Sequence, residues 1–385
     1  MKELSQHLID LKPSGIRRFF DIVADNPEAI SLGVGEPDFN TPWEMTEEGI
    51  RALKAGRTFY TANAGLLELR EEIASYLNEL IGVAYEPETE VMVTVGGSEG
   101  IDLACRALIN PGDEVILPEP AFVSYRPCVV MAGGSVKTIQ LEEAAEFKLT
   151  PEQLEEAITD KTKAVILSYP NNPTGAIMTR ADLEKLIPVI KKHDLYVITD
   201  EIYAELVYGE KHVSIASLAG MRERTIVING FSKSFAMTGW RLGFMAAPAH
   251  LMEEMLKLHQ YALMCAPTIS QYAALAGLKG DREFIGRMRE SYEQRRNYLL
   301  HELKRIGLAT YPARGAFYLF PNIQQYEMTS EEFALKLLDE EELAVVPGDA
   351  FGACGEGFIR ISYAYSLDQL KEAVERLEKF LKNLS

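Results

Sequence analysis

Thr225-Ile226-Val227-Ile228-Asn229-Gly230-Phe231-Ser232-Lys233-Ser234-Phe235-Ala236-Met237-Thr238-Gly239-Trp240-Arg241-Leu242-Gly243 is the stretch on which the fold turns. Its first four residues are all β-branched, and no polar residue alternates with the apolar ones until Asn229. That is the pattern of a strand buried on both faces, as in a parallel sheet. The run ends at Gly230, and a lone lysine follows among small and apolar residues. An amine therefore stands just beyond the carboxyl end of a buried strand, where open α/β sheets gather their ligands. A lysine taken out of water there loses proton affinity and becomes a nucleophile toward carbonyl carbon.

The same rhythm extends outward from this strand. Val91–Val95 runs into Gly96-Gly97-Ser98-Glu99 and a helical pattern reaching Leu108. Glu114–Leu117 follows the turn Pro111-Gly112-Asp113. Ala164–Leu167 leads into Asn171-Asn172-Pro173-Thr174-Gly175, and Thr179–His193 is helical in pattern with Thr179 as its N-cap. Tyr196–Thr199 leads into Asp200-Glu201. Alternating short apolar runs and amphipathic segments predict an α/β fold, with a mostly parallel sheet flanked by helices. Asn172, Asp200 and Lys233 end three successive predicted strands, each about one βαβ period of roughly thirty residues apart. Residues at that period emerge side by side on one sheet edge. Beyond residue 280 the pattern changes to a charged helix (282–306), a strand (315–321), a helix (330–339), strands near 344–347 and 357–363, and a terminal helix (367–384). This predicts a large domain over 46–280 and a smaller α+β domain over 281–385.

Composition excludes several classes. With 385 residues and a formal charge of −18, the chain can bury a large core but is poorly suited to nucleic acid or an anionic membrane surface. Neither the start, Met1-Lys2-Glu3-Leu4-Ser5-Gln6-His7, nor any later run has the apolar length of a signal core or membrane span. The four cysteines form no C-x-x-C pair, which suits a reducing cytoplasm, the expected location. The six histidines show no H-E-x-x-H spacing, so no metal site is expected. Gly96-Gly97-Ser98-Glu99-Gly100 is not G-x-G-x-x-G, yet a glycine turn opening a helix presents backbone N–H groups to a phosphate.

Ser232-Lys233 with Arg241 and Gly243 resembles the lysine motif of class I/II aminotransferases, which bind pyridoxal 5′-phosphate in the fold-type I architecture. The nearest branches in appearance are the Iγ-like aromatic and N-acetyl-diaminopimelate aminotransferases. The resemblance implies that Lys233 holds the cofactor's aldehyde as a Schiff base and that Arg241 contacts its phosphate. Ser98, the backbone N–H of Glu99, and Ser232 fall at further phosphate positions, although a serine found three residues before the lysine in some relatives is Gly230 here. Asp200, in Thr199-Asp200-Glu201-Ile202-Tyr203, matches the aspartate that pairs with the pyridinium nitrogen; alone, a strand-end Asp more often caps the next turn. Tyr203 and Asn172 match the donors to the phenolic oxygen, and Phe122 matches the ring stacked on the cofactor. Gly35, in Gly33-Val34-Gly35-Glu36-Pro37-Asp38-Phe39, Asn172 and Arg360 match substrate-binding positions, with Arg360 gripping the α-carboxylate. Tyr60 resembles the tyrosine that reaches the neighbouring subunit's phosphate, which implies a homodimer with shared sites. Residues 1–45 are expected to form an N-terminal arm packed with the small domain.

The expected reaction moves an amino group from an L-amino acid to a 2-oxo acid such as 2-oxoglutarate, in ping-pong order. Lys233, Asp200 and Tyr203 are its expected catalytic residues. Residues 259–272, together with Phe39 and Phe122, are expected to line an apolar side-chain pocket. That points to an aromatic donor, with aspartate-like donors and N-acetyl-LL-diaminopimelate open. A C–S β-lyase uses the same lysine, aspartate and arginine, so it stays an alternative. A regulatory module on the same fold, fused to a DNA-binding domain, is disfavoured by the charge.

Overall fold

A computed structural model describes residues 9, 11, 29–308 and 310–384. Most of the expected 1–45 arm lies outside these described residues. Strand β1 (Ile30–Ser31) and helices α1 (Trp43–Lys54) and α2 (Leu67–Ile81) precede the alternating block. That block runs β2 (Val91–Thr94), α3 (Gly96–Leu108), β3 (Glu114–Glu119), α4 (Tyr125–Met131), β4 (Ser135–Gln140) and α5 (Pro151–Ala157). It continues with β5 (Thr162–Ser168), α6 (Arg180–Lys192), β6 (Tyr196–Asp200), β7 (Thr225–Gly230) and β8 (Gly243–Ala246).

The block forms one seven-stranded sheet in the order β2-β8-β7-β6-β5-β3-β4. Only β8 runs against its neighbours, so six strands point one way and the expected α/β fold is the one adopted. Every residue of β7 is buried, as its unbroken apolar run requires. Helix α6 starts where the sequence places it, on a reciprocal Thr179–Asp182 cap. Two strands of this sheet were not expected. β4 is an edge strand with one buried residue, so it has no apolar pattern to read. β8 has four residues and directly follows the irregular turn after Lys233.

Register places the chemistry. Ser168 on β5 lies opposite Asp200 on β6, and Asp200 lies opposite Ile228 on β7. The carboxyl ends of these strands share one edge, and the chain from β7 reaches Lys233 three residues later.

The remaining chain adds α7 (Ala249–Ala262), α8 (Thr268–Lys279), α9 (Glu283–Arg305), β9 (Tyr318–Leu319), α10 (Ser330–Glu341), β10 (Leu343–Ala344), β11 (Val346–Pro347), β12 (Ile359–Ser362) and α11 (Leu367–Leu384). Strands β11, β12 and β9 make a small antiparallel sheet. Its core includes Tyr292, Phe317, Phe333, Tyr363 and Phe380, all fully buried. The expected strand over 315–321 narrows to Tyr318–Leu319, and the run near 344–347 divides into β10 and β11. β10 pairs in parallel with β1, and the Leu32 carbonyl accepts from the Ser362 N–H at 2.8 Å. These contacts deliver residues 33–41 to the carboxyl edge of the large sheet. Asp38 then binds Arg295 of α9 through both carboxylate oxygens at 2.8 Å, and Thr41 donates to the Ala236 carbonyl at 2.7 Å.

Candidate active site

A cavity of about 590 Å³ opens at this edge. It is lined by Gly35, Ser98, Phe122, Asn172, Asp200, Tyr203, Ser232, Lys233, Arg241 and Arg360, ten of the twelve positions singled out in the sequence. The two outside it are Glu99 and Tyr60. The Glu99 carboxylate accepts from the Val95 N–H and meets His259 Nδ1, each at 2.5 Å, so its side chain turns away from the cavity. Tyr60 is 79% exposed and reaches nothing in the cavity within one chain. Phe39 also departs from expectation. It packs edge-on against Phe284 and Tyr292 instead of lining the cavity, because Asp38 pins its neighbourhood to α9. Residues 259–272 likewise contribute nothing to the cavity of a single chain.

The Lys233 amine donates to the Gly35 carbonyl at 2.5 Å. Burial pulls its pKa down to about 8; Glu36 opposes that shift, while Arg360 and Arg241 reinforce it. Asp200 is 6% exposed, and burial pushes its carboxyl up to about 6. Hydrogen bonds from the Tyr125 hydroxyl (2.8 Å) and the Ile202 N–H (3.1 Å) restrain that rise. Tyr125 Oη also lies 2.8 Å from Ser168 Oγ. With a single proton given to the carboxylate, Tyr125 accepts from Ser168, which makes a short chain of hydroxyls behind Asp200.

The opposite wall belongs to the small sheet. Arg360, on β12, is 2% exposed. Its Nη1 donates to Asn172 Oδ1 at 2.9 Å and its Nη2 to the Gly33 carbonyl at 2.5 Å. Its Nε is buried without a partner, and burial lowers its proton affinity. The Asn172 amide carbonyl is thereby committed to Arg360, leaving the NH₂ as that side chain's remaining donor. Tyr203 and Tyr318 meet hydroxyl to hydroxyl at 2.8 Å.

A third corner is built for an anion. Helix α3 begins at Gly96, whose φ of +74° suits glycine. A Cβ there would come within 2.6 Å of Arg241 Nη2, so the guanidinium lies directly over the helix start. The unpaired N–H groups of that first turn and the Arg241 charge converge beside Ser98 and Ser232.

Sequence reading missed Tyr125, Ser168, Thr238 and Tyr318 among the lining residues. For two of them a signal was present. Ser168 ends the strand before Asn172, and Tyr125 follows the aromatic Phe122 by three residues, at the start of the next helix. Tyr318 carried no signal, since its partner Tyr203 lies 115 residues away.

The arrangement combines an amine nucleophile, a buried carboxylate, an anion corner and a buried guanidinium in one cavity. The chain as a whole is similar to known proteins. A family model described as aminotransferase class I and II matches residues 27–377. The chain is 52% identical over 378 residues to the putative aminotransferase YugH of Bacillus subtilis (strain 168), covering 98% of each. It is 46% identical over 382 residues to an aspartate aminotransferase of Pyrococcus abyssi, again covering 98% of each. It superposes with a TM-score of 0.91 on the crystal structure of an aromatic aminotransferase from Pyrococcus horikoshii OT3, at 46% identity, covering 96% of this chain and 100% of that one. The chain thus belongs to the class I and II aminotransferase family, enzymes of amino-group transfer.

Proposed function

We propose that the protein is a pyridoxal 5′-phosphate-dependent aminotransferase, moving the amino group of an aromatic L-amino acid to a 2-oxo acid such as 2-oxoglutarate. The carrying observation is electrostatic. Among the described residues, none of Lys233, Asp200 and Arg360 has an ion-pair partner within 4.0 Å. Charges removed from water without partners are costly, so the cavity is completed by a ligand that supplies opposite charge.

Pyridoxal phosphate carries an aldehyde, a phosphate and a basic ring nitrogen, and the residues present fit all three. Lys233 is the amine for the aldehyde carbon. Gly97, Ser98, Ser232 and Arg241 hold the phosphate. Asp200 would keep the ring nitrogen protonated, Tyr203 and the Asn172 NH₂ would donate to the phenolic oxygen, and Phe122 would offer its ring to the cofactor's. When bound, the cofactor supplies an electron sink for negative charge developing at the substrate's Cα. The chain supplies the rest. Arg360 offers its free Nε and fork geometry to the substrate carboxylate. Lys233, with a proton affinity poised near neutrality, takes the Cα proton and returns it as general base and acid.

Among the described residues, Arg241 and Arg360 are the guanidiniums lining the cavity, and both are committed to other groups. With Val34, Phe122 and Tyr318 on the walls, this favours an aromatic side chain over a second carboxylate. The names of the similar proteins are divided, one an aspartate and one an aromatic aminotransferase. The site needs a second copy of the chain to place Tyr60. Phe59, Tyr60 and Tyr261 are 81%, 79% and 88% exposed. Their loops are tied together by Thr268 donating to the Phe59 carbonyl and Asn63 to the Met264 carbonyl, and this apolar face suits a homodimer contact. No helix among the described residues is long and apolar enough to cross a membrane. The unpaired cysteines fit a cytoplasmic location.

The test compares wild type with Lys233→Ala. Wild type loaded with pyridoxal phosphate should absorb as a protein-bound imine and convert phenylalanine plus 2-oxoglutarate to phenylpyruvate and glutamate; the variant should do neither. Transamination surviving in Lys233→Ala, or pyruvate and ammonia released from cystathionine without an acceptor, would overturn the assignment.

A further inference from the structure

Tyr318 connects groups that the reaction uses separately. It is 1% exposed and stands on β9, in the lining of the cavity that also holds Asp200. Its hydroxyl lies 2.8 Å from the hydroxyl of Tyr203. Its ring lies 4.4 Å beneath the guanidinium carbon of Arg360, nearer than the 4.8 Å of Phe351. The same hydroxyl closes against Gly35, where any Cβ would sit 2.5 Å from it.

We propose that Tyr318 is a positioning residue with two separable jobs, its hydroxyl orienting the Tyr203 proton and its ring holding the Arg360 guanidinium. The proposal rests on the pyridoxal phosphate reading above. A hydroxyl has one proton and can donate in one direction at a time. For Tyr203 to donate to the cofactor's phenolic oxygen, Tyr318 must donate to Tyr203, and a hydroxyl that accepts a hydrogen bond becomes a stronger donor. The second job follows from the lack of a carboxylate partner for Arg360 among the described residues. Its charge is steadied by the Asn172 and Gly33 oxygens and by the negative face of the Tyr318 ring. The ring also fixes the guanidinium plane, and that plane sets the direction in which the unpartnered Nε points.

The two jobs predict distinguishable signatures from two variants of the cofactor-loaded enzyme. Tyr318→Phe keeps the ring and loses the hydroxyl. A weaker donor to the phenolic oxygen destabilises the form that has lost the adjacent proton. The pH midpoint of the bound cofactor's absorbance should therefore rise by roughly half to one unit, the size of one hydrogen bond's net contribution. The dissociation constant of hydrocinnamate, a carboxylate without an amino group, read by its perturbation of that absorbance, should stay within about twofold, because the stacking ring is retained. Tyr318→Leu loses both, and should weaken hydrocinnamate roughly fivefold to thirtyfold on top of the shifted midpoint. Thermal melting of each variant separates these effects from misfolding, and Tyr318→Phe serves if the leucine variant fails to fold. An unshifted midpoint in Tyr318→Phe, or unchanged hydrocinnamate affinity in folded Tyr318→Leu, overturns the proposal. Wild type without the absorbance of a bound imine would instead bring down the cofactor reading beneath it.

Discussion

The Lys233 amine offers the sharpest quantitative test. An ordinary lysine has a pKa of 10.5, and burial brings this one to about 8. At pH 7 the neutral, nucleophilic fraction is then about one-tenth instead of about three in ten thousand, a gain on the order of 300-fold. Cofactor-free protein treated with limiting formaldehyde and cyanoborohydride across pH 6–11 should show methylation at Lys233, by peptide mass spectrometry, rising with a midpoint near pH 8. Glu36 is the largest charge raising this pKa, so Glu36→Gln should move the midpoint lower still. The sign carries over to stability. With the folded pKa below the unfolded one, this amine's contribution is fully present above about 10.5 and is lost as pH falls through about 8. Labelling that rises only above pH 10, or a Glu36→Gln midpoint above that of wild type, would show that burial and Glu36 do not set this amine's proton affinity.

Four further outcomes are expected. Tyr125→Phe removes one hydrogen bond from the Asp200 carboxylate, which raises its pKa above about 6. Pyridoxal phosphate affinity by ultrafiltration should fall roughly tenfold, more at pH 6 than at pH 8, as a charged hydrogen bond's worth implies. Gly96→Ala imposes a positive φ on a residue with a Cβ and drives that carbon onto Arg241, so inorganic phosphate binding by calorimetry should weaken. Gly286→Ala on α9, where nothing lies within 4 Å, should instead stabilise by up to about 1 kcal/mol in a denaturant melt. On the proposed homodimer, Tyr261→Asp, placed on the exposed face that also carries Phe59 and Tyr60, should shift sedimentation to the monomer and lower turnover, because each proposed site would lose a second copy's Tyr60.

What the sequence disclosed follows from how much local pattern each part needs. β7 is buried on both faces, so all its residues share one constraint and the run is plain to read. α6 announces its start through Thr179 and Asp182, a cap that acts within one turn. β4 and β8 are set by their partners: an exposed edge accepts almost any side chain, and four residues are too few to show a period. The small sheet is harder still. Tyr318–Leu319 and Leu343–Ala344 are strands because distant segments, β12 and β1, lie beside them. Phe39 failed as a pocket residue for the same reason. Its aromatic type was legible, but its direction is set by the Asp38–Arg295 pair, more than 250 residues apart.

The site divides along a similar line. Lys233, Asp200 and Arg360 are charged residues in strand-end or strand positions where charge is expensive, so each stands out against its surroundings in the sequence, whereas the exposed Arg241 is legible through its spacing from the lysine. Tyr125, Ser168 and Tyr318 are neutral residues in apolar stretches, where such types are ordinary. Their importance comes from geometry: Tyr125 is 2.8 Å from Asp200, and Tyr318 lies 4.4 Å from Arg360 and 2.8 Å from Tyr203. The buried charges therefore mark where the chemistry lies, and the neutral hydroxyls determine how those charges behave. Asp200 near 6 and Lys233 near 8 sit on either side of neutrality because burial moves each toward its uncharged form. A ligand bringing a cationic ring nitrogen to Asp200 and an aldehyde to Lys233 relieves both at once.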